Sequence, residues 1–166
     1  MNKKAQVWTI DFIAGLLLFL FVLVVGIKLA TNITPESGFS ELYEDTVHFS
    51  ETLLTKGHPD DWNSTNVIIP GIADYNRINI TKLEELNKIN YDRTKTLFHL
   101  SNEYLFFFSN ASGIINISKC SHGYSIPENN DCSIDISGIN YKNLAKIDRI
   151  VIIDSALAKM TVYTWN

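Results

Sequence analysis

The sequence predicts an α+β fold in which an N-terminal hydrophobic helix continues into an amphipathic helix, and that second helix packs on a small antiparallel β-sheet. Three patterns predict it: one apolar run near the N-terminus, an apolar stripe at three- and four-residue spacing over residues 39–54, and paired strand-like runs over 103–118 and 147–165. With 166 residues, 46% of them hydrophobic, the chain is long enough for one domain with a real core and too short for two large ones. Fourteen basic residues stand against 18 acidic ones, for a net charge of −4. That leaves no basic excess of the size that binding a phosphate backbone draws on, so nucleic acid is not an expected partner.

The first element opens Met1-Asn2-Lys3-Lys4-Ala5-Gln6 and passes through Val7-Trp8-Thr9-Ile10-Asp11 into an uninterrupted apolar run over 12–27, closed by Lys28. Counted over 7–27, the run holds 21 residues, about 31 Å of helix and close to the roughly 30 Å hydrocarbon core of a bilayer. Counted from Phe12 it holds only 16, so Asp11 governs how the segment is used. A cleaved secretory signal would take Lys3 and Lys4 as its charged region, but Lys28 stands where a cut after Ala30 needs small residues. An uncleaved anchor would keep Asp11 at the interface beside the two lysines, where a charge costs little.

A third reading rests on a likeness. Lys3-Lys4-Ala5-Gln6, a short polar step, Asp11 and then a long apolar helix together resemble the class III signal peptide of archaeal type IV pilin-like and pseudopilin-like proteins. The resemblance implies a leader of residues 1–6 and a prepilin peptidase acting around Lys3, Lys4, Ala5 and Gln6. It further implies a helix over 7–30 that anchors the subunit in the membrane and later packs in a filament core. For Asp11 it implies an assembly role, meeting the amine of a neighbouring subunit. The physics agrees, since a carboxylate in hydrocarbon costs roughly 2.5–3.5 kcal/mol and needs a partner. A cut between Ala5 and Gln6 makes Asp11 the sixth mature residue, where the family carries Glu at the fifth; a cut after Gln6 places it fifth. Lys3 and Lys4 predict a cytoplasmic N-terminus and an extracellular head over 31–166.

The head begins with a helix start at Thr34, an N-cap before Pro35. Its stripe runs through Phe39, Leu42, Tyr43, Thr46, Val47, Ser50, Leu53 and Leu54 and stops at Gly57. In the turn Gly57-His58-Pro59-Asp60-Asp61-Trp62, Trp62 can fold back on the last helical turn. The Gly-x-Pro-x-x-Trp spacing also resembles archaeal pilin-like surface proteins. A short helix follows Asn79-Ile80-Thr81, with Leu83, Leu86 and Ile89 inward, and another spans 91–100. Residues 103–108 and 114–118 read as one hairpin. Residues 147–153 and 157–165 read as a second, turning at Asp154-Ser155-Ala156. Ile150-Val151-Ile152-Ile153 is apolar on both faces and reads as a central strand.

Two marks of export lie in this head. N-x-[ST] sequons at Asn32, Asn63, Asn79, Asn110 and Asn116 are candidate N-glycosylation sites, although in a chain with 16 Asn the same residues also serve turns and caps. At Asn116, alternation against Ile115 and Ile117 turns the side chain to solvent. Cys120 and Cys132 flank eleven residues rich in turn formers. In an oxidising compartment they predict a disulfide closing a surface loop, worth about 3 kcal/mol. A metal site built with His122 lacks further ligands at metal spacing, so no metal or cofactor is expected.

Catalytic motifs are missing. His48, His58, His99 and His122 are scattered in sequence, there is no phosphate loop or G-x-S-x-G, and neither Asp60-Asp61 nor Asp131 to Asp135 has calcium-loop spacing. The expectation is therefore a non-enzymatic structural subunit, a pilin, minor pilin or pseudopilin, of a type IV filament at the cell surface. Its expected partners are other homo- or hetero-oligomeric filament subunits, the prepilin peptidase and an assembly platform, and membrane lipid through residues 7–27. A single-pass, membrane-anchored extracellular binding domain that forms no filament stands as the alternative.

Overall fold

A computed structural model describes residues 3–33, 37–125 and 132–166. The chain forms two compact units, Met1–Ser37 and Gly38–Asn166. The first is α1 (Lys3–Ile33), 31 residues long, or about 46 Å. It starts before the predicted apolar segment and outlasts it. Asp11–Leu29 is long and apolar enough to cross a membrane, with none of that stretch buried. The predicted cap at Thr34 and the Pro35 that follows it lie outside the described residues.

The second unit opens with α2 (Ser37–Leu53). Leu42, Thr46, Phe49, Ser50 and Leu53 are buried along one face, as the stripe predicts, whereas Phe39 and Tyr43 are exposed. The helix ends four residues before the predicted stop at Gly57, because Leu54 and Thr55 donate to carbonyls three residues back instead of four. Gly57 then takes φ +75, and a Cβ there would sit 2.5 Å from the Ile69 carbonyl oxygen and from Trp62 Nε1. Only glycine fits. The Trp62 indole does fold back, donating from Nε1 to the Gly71 carbonyl at 2.9 Å and to the Lys56 carbonyl at 3.2 Å.

A two-residue hairpin follows, β1 (Ala73–Asp74) and β2 (Arg77–Ile78), turning at Tyr75 and Asn76, both at positive φ. Next come α3 (Ile80–Asn87), capped by Asn79, and α4 (Tyr91–Leu97), capped by Asn90. Helix α4 stops short of the predicted residue 100, with His99 at φ 55 just beyond it. Strand β3 (Glu103–Asn110) pairs with β4 (Gly113–Ile115), confirming the first hairpin in a shorter form. The segment predicted to continue to Ser118 leaves the ladder after Ile115, and β5 (His122–Gly123) returns to pair with β3 at Leu105 and Phe106. Strands β6 (Leu144–Ile153) and β7 (Ala156–Trp165) form the second hairpin, joined by Asp154 and Ser155 at positive φ.

The strand order is β1-β2-β6-β7-β3-β4, with β5 on β3. The sheet is mixed and not purely antiparallel, since β2 joins β6 in parallel at Arg77 and Ile152. Strand β6 is internal there, as predicted, but one of its faces meets solvent: Ile150 is 65% exposed while Val151 and Ile153 are buried. The buried face carries Tyr104, Phe106, Phe108, Val151, Met160 and Val162, and with Phe49, Leu53, Leu83 and Leu86 it forms the core. Phe49 meets Phe98 and Tyr104 edge-on at 4.7 and 4.8 Å. Three polar links pin α2 to the hairpin among the described residues: Thr46 Oγ1 to Thr164 Oγ1, Arg149 Nε to Ser50 Oγ at 3.1 Å, and Arg149 Nη2 to Glu51 Oε1 at 3.4 Å.

Candidate functional site

The residues that the pilin likeness marks for processing and assembly sit on α1. Asp11 is exposed, and so is every side chain described from it to Leu29. Lys3, Lys4, Ala5 and Gln6 belong to the first turns of α1, and their side chains lie outside the described residues. The second unit has exposed apolar side chains of its own. Phe39 and Tyr43, one turn apart on α2, are 44% and 47% exposed, flanking the buried face that carries Leu42 and Phe49.

Four sequons can be placed. Asn63 Oδ1 accepts from both Thr65 N (2.9 Å) and Thr65 Oγ1 (2.6 Å), so the sequon closes on itself. Asn79 caps α3 by accepting from Lys82 N at 3.2 Å. Asn110 accepts from Ser112 N at 2.9 Å in the β3–β4 turn, and Asn116 is exposed, as alternation predicts. The side chain of Asn32 lies outside the described residues. Three sequons border α3: Ser64 N donates to Glu85 Oε2 at 2.9 Å, Asn79 caps the helix, and Asn87 Nδ2 reaches Ser118 Oγ at 3.4 Å. With the Lys88 ammonium and the Ser64 donors on it, the Glu85 carboxyl is held down at about 2.

Cys120 and Cys132 are bonded, with Cα atoms 5.2 Å apart. Asp131 and the middle of the loop they close lie outside the described residues. Next to Cys120 stands a cleft of about 730 Å³ between the α3–α4 connection and β5, lined by Asn87, Tyr91, Lys119, His122 and Tyr124 among others. Tyr91, Thr94 and Tyr104 of the lining are tied into a polar network that continues behind the cleft to Glu103 and Lys95. The Tyr91 hydroxyl donates to Glu103 Oε2, Lys95 Nζ meets Glu103 Oε1 at 2.7 Å, and Tyr104 N donates to the Tyr91 hydroxyl at 3.2 Å. Thr94 Oγ1 and the Tyr104 hydroxyl are 2.6 Å apart. Burial pushes the Tyr91 phenol well up, helped by its bond to Glu103, and pushes Tyr104 up to about 12. Burial also raises Glu103, but the hydrogen bonds from Lys95 and Tyr91 outweigh it and hold that carboxyl below its usual range.

His122 forms the base of the cleft. Its ring is 4% exposed, lies 4.9 Å from the Phe106 ring in a stack, and places Nδ1 2.7 Å from Asn87 Oδ1. Asn87 Oδ1 is an acceptor, so Nδ1 carries the proton and Nε2 offers a lone pair. Nε2 is buried without a hydrogen-bond partner among the described residues. Burial, with a smaller contribution from Lys119, lowers the imidazole to about 4, so the ring is neutral at physiological pH.

The other three histidines are less scattered than their sequence positions imply. His48, His58 and His99 line one groove of about 650 Å³ over Phe49 and Phe98. Even so, no group of three potential metal ligands is close enough to hold a metal among the described residues. Asp60 and Asp61 are exposed turn residues. No protein-family model, curated protein or solved structure matches the chain.

Proposed function

We propose that this protein is a subunit of a type IV pilin-like surface filament, held in the membrane by α1 until assembly, with the Gly38–Asn166 unit as its extracellular head. In this reading the N-terminus is cytoplasmic, a prepilin peptidase trims the chain near Gln6, and burial of α1 among neighbouring subunits replaces its burial in lipid. Asp11 then finds a neighbour's amine, which offsets the cost of a carboxylate in an apolar core. The role is structural, not catalytic.

The observations that carry this reading are that every side chain described over Asp11–Leu29 is exposed and that α2, beyond the apolar span, also leaves Phe39 and Tyr43 exposed. A plain anchor needs apolar surface only within about 30 Å of lipid. A filament subunit needs it wherever neighbouring subunits pack. The test is to shear surface material from the native host and determine the N-terminal peptide by mass spectrometry, for the natural chain and for Phe39→Asp/Tyr43→Asp. The expected result is a chain beginning at Gln6 or Val7 in the sheared fraction, with the double variant confined to the membrane. A chain beginning at Met1 and found only in the membrane would establish the anchored ectodomain instead.

A further inference from the structure

The cleft beside the disulfide has features of a ligand site that the filament reading does not use. Its base offers His122 Nε2, an acceptor stripped of water and left without a donor, at a cost of about 1–3 kcal/mol. A ligand hydroxyl or N–H would recover that cost. Its sides offer aromatic rings: Tyr91 stacks on Tyr104 at 5.2 Å, and Tyr124, 40% exposed, is braced edge-on by Trp165 at 5.3 Å. A rigid, exposed ring of this kind presents an apolar face with little entropy left to lose. The remaining lining is amide, hydroxyl and ammonium, with no carboxylate among the described residues. Lys88 is committed to Glu85, whereas Lys119 is exposed and forms no ion pair among the described residues.

From this geometry we infer that the cleft between the α3–α4 connection and β5 binds an acidic sugar, a pyranose bearing a carboxylate. A hydroxyl donates to His122 Nε2, the C–H face of the ring lies on Tyr124, and the carboxylate lies toward Lys119. A cationic ligand would meet the Lys119 ammonium with no carboxylate in the lining to receive it, Lys88 being neutralised by Glu85, and an aliphatic one would strand the polar lining. His122 is itself one of the two residues of β5, and its Nε2 is covered in the free chain, so the ligand reaches it through a local movement of this strand and its ring. That strand is two residues long and is held to the edge of β3 by two paired positions. The inference does not depend on filament assembly.

The test uses the full chain in phospholipid nanodiscs free of glycolipid, with methyl glucuronoside and methyl glucoside as probes in saturation-transfer NMR. Transfer to the glucuronoside ring protons, weaker for the glucoside, is expected. So is a shift of the His122 Nε2 nitrogen resonance on sugar addition, which a purely structural ring would not show. His122→Phe keeps the stack on Phe106 and removes the acceptor; it should abolish the transfer while retaining the chain's cooperative melting, and Tyr124→Ala should reduce it at least several-fold. Tyr141→Ala, at another exposed tyrosine, should leave it unchanged. Competition by acidic polysaccharide from the host surface, against glycopeptides from the chain itself, separates the two sources of such a sugar. No transfer to either probe, transfer that survives His122→Phe, or equal transfer to both probes would overturn the proposal.

Discussion

Helices α1 and α2 draw on the same apolar residues, Leu, Phe and Val, and use them in opposite ways. On α2 they fall on one face, and Leu42, Phe49 and Leu53 disappear into the core while Glu41 and Glu44 stay in solvent. On α1 they surround the helix, and Phe12, Phe19 and Leu20 are all exposed. An apolar stripe finds its partner within the chain, whereas an all-round apolar helix must find it outside, in lipid or in other chains. Phe39 and Tyr43 are where the two regimes meet. They belong to the amphipathic helix by position and to the externally partnered surface by exposure.

The contrast can be broken by truncating the same residue type in each region. Phe49→Ala should cost the head about 3–5 kcal/mol, seen as a large fall in melting temperature of the full chain in nanodiscs by near-ultraviolet circular dichroism. Phe19→Ala should leave that transition in place. A comparable loss from both would mean that α1 is part of the head's own core.

Lowering the pH probes the same core from its polar side. The folded His122 titrates near 4, below the roughly 6.5 of an unfolded histidine. The unfolded chain therefore binds the extra proton between those values, and stability falls as pH drops from 6.5 toward 4. The loss attributable to His122 is at most about 3 kcal/mol, and His122→Phe should flatten it in pH-dependent denaturant melts. Glu103, held low by Lys95 and Tyr91, adds a loss in the same direction only below the usual carboxylate range. A pH profile unaltered by His122→Phe would place this ring in a hydrated setting.

Replacing both cysteines by serine should destabilise the head by about 3 kcal/mol, the loop-closure value, and leave α1 inserted in lipid. A smaller effect separates the sequons. Asn79→Ala removes the α3 cap and should cost about 1 kcal/mol, whereas Asn116→Ala, exposed and with no cap to supply, should melt as the natural chain does. Glycopeptide mass spectrometry of the native protein reads the occupancy of both sites directly.

Features set by local pattern were legible in the sequence. The apolar run announced α1, the three- and four-residue spacing announced the buried face of α2, and the cysteine pair announced its bond. Asn79 and Asn90 stand immediately before the helices they cap, but in a chain this rich in Asn neither was marked as a cap. Strands β1 and β2 were not legible, because two residues show no period. The parallel join of β2 to β6 depends on topology and leaves no mark in either segment. Ile150 looked like core because four apolar residues in a row hide which face is covered. The cleft was the least legible of all, since Asn87, Tyr91, His122 and Tyr124 come from separate segments and His122 acquires its character only when Phe106 and Asn87 close around it.

The place of β7 in the sheet has a consequence for folding. It lies between β6 and β3, so a strand from late in the chain holds the centre, and until it is in place β3 is paired on one edge alone, with β4 and β5. The β6–β7 ladder is a local hairpin, whereas the β3–β7 ladder joins distant stretches of chain and carries the larger entropy of closure.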